Sequence, residues 1–339
     1  MRVGLLYERK EWFPFEENDP EDLNSELLSE EEEQEIVAGL EEAGHQVVMI
    51  GDVERLVSRL DHWRKACDIV FNRSVGYRGV ERKSIAAAVL EAAGIPYTGS
   101  TPYVLSLTRN KYHSKVIAAH AGLLTPAYAV LCDGMEACVK HQPYPAIVKP
   151  IAESSSIGIE AGESIVRNPA EAQRRAGVIA QRYHQPALVE EFIEGLEVEV
   201  PLVADKSGVL RVFGLAVVTV NNQLPEGKHY LVSDQVYVDN YDFVDPPASV
   251  DIPRLMMLAE RGARALGMRD YGRLDFRIDA AGRMWFIEAS THPHVQVHSG
   301  FNHAASRRGM SYPAMLDNLV QTGLRRYRAS AHLRSAASG

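Results

Sequence analysis

Short apolar runs alternate with amphipathic stretches over the first hundred residues. Val3–Tyr7, Gln46–Ile50, Asp68–Asn72 and Ile95–Thr98 read as strands. Helices are predicted between them, the clearest over Glu30–Ala43. There Ile36, Val37, Leu40 and Ala43 make one apolar face. Ser29 is the N-cap, Glu32 completes a capping box, and Gly44 ends the helix. Strand–helix alternation of this kind predicts a largely parallel α/β sheet for residues 1–101.

The pattern changes afterwards. A helix ends near Gly122, and strands at Ala127–Leu131 and Pro145–Lys149 flank a short helical stretch. A Ser-rich loop and a helix near Ala170–Tyr183 close a central unit, 102–186. A third unit, 187–328, carries strands at Ala187–Glu191, Glu197–Val203 and Val209–Val220, then a polar excursion over Asn221–Pro247. A helix at Ile252–Leu266, a hairpin at Arg273–Ala289 and a helix at Tyr312–Arg326 follow. Residues 329–339 read as a flexible tail, and no internal repeat is present. The expected class is α/β, with α+β character in the C-terminal part.

Charge narrows the function. The 339-residue chain has a net charge of −9, and residues 16–35 hold eleven carboxylates with no Lys or Arg. The remainder is therefore close to neutral, without the basic stripe that a nucleic-acid partner requires. No apolar run is long enough to span a membrane. A hydrophobic fraction of 46% argues against disorder. Three cysteines with no CxxC pair suit a reducing cytoplasm.

Four segments could carry chemistry. Arg273–Asp279 alternates charged and apolar residues, and folding about Ala281-Gly282 places residue i opposite 563 − i. Asp275 then faces Glu288, and Arg273 faces Ser290. Facing carboxylates share a proton or a cation, and an all-oxygen set suits Mg²⁺ or Mn²⁺. A solvated strand face with a slipped register is the competing reading. Lys149, at the end of a strand, precedes the small-residue loop Glu153–Gly158, a combination that suits a polyphosphate as well as an ordinary surface loop. Leu188–Glu197 sets Glu190 and Glu197 among apolar residues, which fits adenine and ribose or simply a strand and turn. His292, His294 and His298 invite zinc, but Pro293 breaks any helical ligand spacing and polar pocket lining is favoured.

Together and in this order, the segments resemble the ATP-grasp superfamily, and within it the D-alanine–D-alanine ligase family, over about Val70–Tyr327. Ile95–Ser100 is similar to the family's IPYTGS, and Lys111 falls at the lysine of its MDK segment. Val148–Gly158 resembles VKPxxEGSSxGV, and Val189–Glu197 resembles EEFIxGxE. Arg273–Asp275 with Phe286–Thr291 resembles RxD…lEvNT, and Gly309–Tyr312 matches GMSY. The resemblance implies an ATP-grasp fold behind an N-terminal α/β domain. It implies that Lys111 and Lys149 contact ATP phosphates and that Ser155 and Ser156 belong to a mobile covering loop. Glu190, Glu191, Ile193, Glu197 and Phe286 would hold the nucleotide. Asp275, Glu288 and Ser290 would hold Mg²⁺ (or Mn²⁺), and Arg273 would stabilise the acyl phosphate. Ser155 and His294 would serve catalysis, and Arg273, His294, His298 and Ser299 the substrates. Family members are often homodimers, which the resemblance extends to this chain.

Departures lie at substrate positions. Ser290 replaces an asparagine, His294 a glycine and Ser154 a glycine. Val75-Gly76 stands at an HG pair, and the GGxSxExxVS loop is absent, with Glu8–Ser29 in its place. The expectation is a carboxylate–amine ligase acting through an acyl phosphate on small molecules other than two D-alanines. A D-alanine–D-alanine ligase with divergent loops and a non-catalytic ATP-binding protein are the alternatives. The acidic segment 16–26 is expected to recognise a basic or amino group. Lys228, His229 and Tyr230 are candidates to reach nucleotide or substrate.

Overall fold

The computed structural model describes residues 1–132, 140–220, 230–237 and 240–337. The expected helical stretch near 133–139, and Lys228 and His229, lie outside the described residues. Strands β1 (Arg2–Leu6), β2 (Gln46–Gly51) and β3 (Ile69–Asn72) form a parallel sheet in the order β2-β1-β3. Helices α1 (Glu30–Glu42), α2 (Val53–Ser58), α3 (Leu60–Ala66) and α4 (Arg82–Ala93) connect and cover it. The capping box forms: Glu32 N donates to Ser29 Oγ at 3.2 Å and Ser29 N to Glu32 Oε2 at 2.6 Å. Gly44 follows with φ +83°, where a side chain would be strained. The fourth expected strand is only a bridge, Tyr97 alongside Val70, because the chain turns at Gly99 with φ +100°.

Helices α5 (Pro102–Arg109) and α6 (Lys111–His120) lead to β4 (Tyr128–Leu131), β5 (Ala146–Pro150) and β6 (Ile165–Val166). Helix α7 (Pro169–Tyr183) and β7 (Ala187–Glu191) complete an antiparallel sheet, β4-β7-β5-β6. The remaining strands are β8 (Leu196–Ala204), β9 (Leu210–Val212) and β10 (Ala216–Thr219), so the single strand expected over Val209–Val220 is two. The polar excursion holds α8 (Ser233–Tyr237) and β11 (Asp242–Val244). Then come α9 (Ile252–Ala265), β12 (Tyr271–Ile278), β13 (Met284–Ser290), α10 (Gly300–Arg307) and α11 (Tyr312–Ala337). The third sheet runs β11-β10-β8-β12-β13, with β9 on β8. Helix α11 continues through most of the segment expected to be a tail.

Both faces of the parallel sheet are buried, as parallel strands require. Leu6, Ile50 and Val70 pack on Leu90 of α4. Leu5 and Phe71 pack with Leu40 of α1, Phe301 of α10 and Leu316 and Leu319 of α11. The first sheet is thus closed by the last helix. Val198, Leu274 and Phe286 form a separate core with Leu255 and Ala259 of α9, and Val148 and Val189 another with Ile179 of α7. The two antiparallel sheets face each other across a cleft lined by Lys149 and Glu190 on one side and Asp275 and Glu288 on the other.

Candidate active site

The metal-side geometry starts from strand register. On β12 and β13, Arg273 lies opposite Ser290 and Asp275 opposite Glu288, as their alternation predicts. The turn is wider than Ala281-Gly282, running from Asp279 to Arg283. Beyond Glu288 a β-bulge absorbs one residue, and Phe276 pairs with Phe286. Glu288 and Ser290 therefore share a face with Asp275, while Phe286 turns into the core against Phe276. Phe286 was expected at the nucleotide; the bulge withdraws it, and Phe276 and Ile287 line the cleft instead. The neighbouring strand β8 sets Glu199 beside Asp275 and Glu197 beside Arg277.

The buried Asp275 and Glu199 and the half-buried Glu288 thus share one face with one guanidinium. Arg273 Nε and Nη2 donate to Asp275 at 2.7 and 2.8 Å, and its Nη1 lies 2.8 Å from Glu199 Oε1. Such a fork fits carboxylate geometry. The other oxygen of Glu199 has no hydrogen-bond partner among the described residues, and a Cβ on Gly300 would fall 2.1 Å from it. Burial raises the Asp275 and Glu199 carboxyls above their ordinary range, against the opposing pull of Arg273. Burial would raise Glu288 too, but the Lys111 and Lys149 ammoniums outweigh it and hold that carboxyl down.

The lysines come from two elements. Lys111 opens α6, and its Nζ lies 3.0 Å from Glu288 Oε2 and donates to the Glu153 carbonyl. Lys149 ends β5 and reaches Glu190 Oε1 at 3.4 Å, while Lys115 reaches Glu190 Oε2 at 2.6 Å. Glu190 is therefore clamped between two ammoniums. Burial pulls the Lys115 ammonium down to about 8 despite Glu190. Lys115 was not singled out from sequence, although it lies one helical turn from Lys111 on the same face. At the far end of the cleft, Arg277 donates to the Ile193 carbonyl at 2.8 Å and to Glu197 Oε2 at 2.9 Å. Glu191 sits beside them and accepts from Ala127 N at 3.5 Å. Tyr230 closes over this end, its ring 5.7 Å from that of Phe192.

The Ser-rich loop is held from several directions. Ser155 and Ser156 both adopt left-handed backbone, φ 52° and 55°, a strained choice for serine. Ser156 lines the cleft, and Ser155 Oγ lies 3.2 Å from His294 Nε2. A Cβ on Gly158 would fall 2.5 Å from Pro150 Cγ. Beneath the loop is a buried charge cluster that sequence reasoning missed. Glu153 accepts from Arg82 at 2.8 Å and Arg109 at 3.0 Å, and Glu26 pairs with Lys83 and with Arg82 at 3.4 Å. Burial opposes these charges, yet the cations hold Glu153 down to about 2. No motif announces the cluster, because its members come from four distant segments.

Part of the acidic segment is engaged in such contacts. Asp19 pairs with Arg78 at 2.5 Å, and Asp22 accepts from Gly158 N at 2.8 Å and Tyr183 OH at 3.0 Å. Through Asp22 it holds the Ser-rich loop, while Glu17 and Glu21 stay exposed. The three histidines do not converge: His298 faces Asp242 at 3.7 Å beside Tyr241, while His294 meets Ser155. Among the described residues no group of three His, Cys, Asp or Glu side chains is gathered for a metal. Ser299 is the N-cap of α10, accepting from Asn302 N at 3.1 Å and donating to the Gln296 carbonyl at 2.7 Å.

Comparison with known proteins agrees with this layout. Residues 120–321 match the family described as D-ala D-ala ligase C-terminus. The chain is 30% identical to an uncharacterized protein (y4sG) of Sinorhizobium fredii over 86% of this chain and 87% of that one. It is 31% identical to a D-alanine–D-alanine ligase of Azoarcus sp. over 83% and 87%. In fold it is similar to the ATP complex of D-alanine–D-alanine ligase from Bacillus anthracis, with TM-score 0.69, 18% identity and coverage of 97% and 99%. It is also similar to VanG D-Ala:D-Ser ligase from Enterococcus faecalis, with TM-score 0.68, 19% identity and coverage of 95% and 99%. The chain has the ATP-grasp fold and belongs to the D-alanine–D-alanine ligase family of C–N bond-forming ligases.

Proposed function

We propose that the protein joins a carboxylate to an amine at the expense of ATP, on small substrates other than two D-alanines. The observation that carries this is the facing Asp275–Glu288 pair, bracketed by Lys111 and Arg273 at the mouth of a cleft that Lys149 enters. The hard oxygen set of Asp275 and Glu288, with the unpartnered Glu199 oxygen nearby, fits Mg²⁺, which commonly takes one or two carboxylates plus substrate phosphates. When bound there it would supply charge neutralisation between phosphate oxygens. Ser290, on the same face, offers a further neutral oxygen.

The chain's own residues then act as follows. Lys111 and Lys149 sit where the β- and γ-phosphates of ATP would enter, and Glu190 holds Lys149 in place. A substrate carboxylate oxygen attacks the γ-phosphorus, the bond to the bridging oxygen breaks, and ADP leaves. Arg273 neutralises charge on the resulting acyl phosphate. The amine nitrogen attacks the acyl carbon and phosphate departs. His294 takes the amine's proton: burial and the nearby Arg273 lower it to about 4 against the pull of Glu32, so the imidazole is neutral at physiological pH. Ser155 orients that ring. Such chemistry needs positioning and charge stabilisation, and no covalent nucleophile.

Incubation with ATP, Mg²⁺ and paired acids and amines, with ADP release and product mass as readouts, tests this. Turnover with D-alanine alone to the dipeptide would establish the cell-wall reading, which the named relatives favour. No release with any acid–amine pair would favour nucleotide binding without catalysis.

A further inference from the structure

A second group of polar side chains lies beside the reacting centre and is absent from the mechanism above. Arg73 follows β3 and is 6% exposed. Its Nη2 donates to the Pro293 carbonyl at 2.7 Å, on the loop that leaves Ser290. Its Nε and Nη1 are buried and have no partner among the described residues. The adjacent Asn72 uses its Oδ1 to accept from Ser74 N, while its Nδ2 is buried and unpartnered. His292 is 3% exposed, and its ring lies against the Asn72 backbone. The charges of Arg73 and Arg273 both bear on His294, and those of Arg73 and Lys83 on His292. Four segments of the molecule thus meet here.

Burying a guanidinium is costly unless an anion compensates it. The acids close by are already engaged. Glu26 is paired with Lys83, Glu8 accepts from Ser74 Oγ, Val75 N and Gly76 N, and Glu32 accepts from Ser29 N and Gln296. What remains around Arg73 is a set of N–H groups with no acceptor. With Nη2 on the Pro293 carbonyl, Nε and Nη1 present charged donors on separate edges of the guanidinium, and with the neighbouring amide NH₂ such donors suit an oxyanion.

We infer that Arg73, with Asn72 and His292, forms a second anion subsite that takes a carboxylate or phosphate carried by one substrate apart from its reacting group. This rests on the ligase reading and sharpens it: the acid or amine consumed carries an additional negative group. Arg73 belongs to the first sheet and its single partner to the loop after β13, so parting of that seam admits the anion.

The test uses the full chain with Mg²⁺ and ADP. Melting temperature is followed with succinate, with inorganic phosphate and with butyrate, in the wild type, in Arg73→Gln and in His292→Phe. Glutamine keeps a donor for the Pro293 carbonyl but loses the charge. Succinate or phosphate is expected to raise the wild-type Tm more than butyrate does, and the difference is expected to vanish in Arg73→Gln and shrink in His292→Phe. Whichever of the two ions stabilises more identifies the anion class. Equal shifts for all three probes in the wild type, or an undiminished difference in Arg73→Gln, overturn the subsite. If Arg73→Gln fails to fold, the His292→Phe comparison decides in the same way. In turnover, acids with a second anionic group are expected to exceed their singly charged analogues by about tenfold or more in kcat/KM, the worth of one charge-assisted hydrogen bond. Acid- and amine-dependent ADP release without that preference sinks the subsite and leaves the ligase reading standing. An Arg73-dependent Tm shift with no ligation of any acid–amine pair does the reverse.

Discussion

The nucleotide half of the cleft and the seam beside Arg73 treat buried charge in opposite ways. In the first, ammonium and guanidinium groups sit against acids: Lys111 on Glu288, Lys115 and Lys149 on Glu190, Arg277 on Glu197. In the second, Arg73 and Asn72 are buried beside His292 with donors unspent among the described residues. The paired half is held ready by the protein itself, so it accepts a constant ligand without rearrangement. The unpaired half leaves its compensation to what binds, which makes it the variable half.

Glu288→Gln strikes the paired half hardest. It removes a facing carboxylate and the partner of Lys111, and kcat is expected to fall about 10³-fold with weakened Mg²⁺ dependence in an ADP-release assay. Unchanged activity would break the site assignment. Glu153→Gln tests whether pairing also holds the structure. It leaves Arg82 and Arg109 short of acid, and urea unfolding should show a loss of about 3 kcal/mol. His294→Gln sits on the boundary of the two halves and should lower kcat by about 100-fold with little change in the KM for ATP. The same variant sharpens the pH behaviour. The folded His294 titrates near 4 and the unfolded one near 6.5, so its contribution is complete above 6.5 and is lost as pH falls toward 4. Glu153 adds a second loss below its unfolded value of 4.5. Denaturation midpoints between pH 7 and 4 should therefore fall less steeply in His294→Gln than in the wild type. Asp22→Asn gives the smallest effect, about 1 kcal/mol, because it weakens one contact to the Ser-rich loop.

The two halves also differed in legibility. Lys149, Glu197, Asp275 and Glu288 lie on strands whose two-residue alternation fixes their face, so local sequence sufficed. The register of Asp275 against Glu288 came out right although the turn is wider than Ala281-Gly282, because the bulge near Ile287 compensates. The same bulge carried Phe286 into the core, which alternation could not reveal. Lys115 escaped notice because an ammonium on an amphipathic helix looks solvated until its burial is known. Arg73, His292, Lys83 and Glu26 meet only through tertiary structure, and nothing in the spacing of four remote segments encodes their approach. The contacts of Asp19, Glu26 and Asp22 were hidden for the same reason, since their partners Arg78, Lys83 and Tyr183 lie far along the chain.

Closure of the first sheet by α11 has a consequence for synthesis on the ribosome. Leu5 and Phe71 leave the exit tunnel early, but Leu316 and Leu319, which cover them, follow about 245 residues after Phe71 and about 310 after Leu5. At ordinary elongation rates that is a delay of roughly ten to fifty seconds. During that interval one face of the nascent sheet is covered by α1 alone and otherwise open to chaperones. Protease protection of residues 1–72 on stalled chains of rising length should therefore appear only once Val320 has emerged, so the earliest strands of the polypeptide are the last to be sealed.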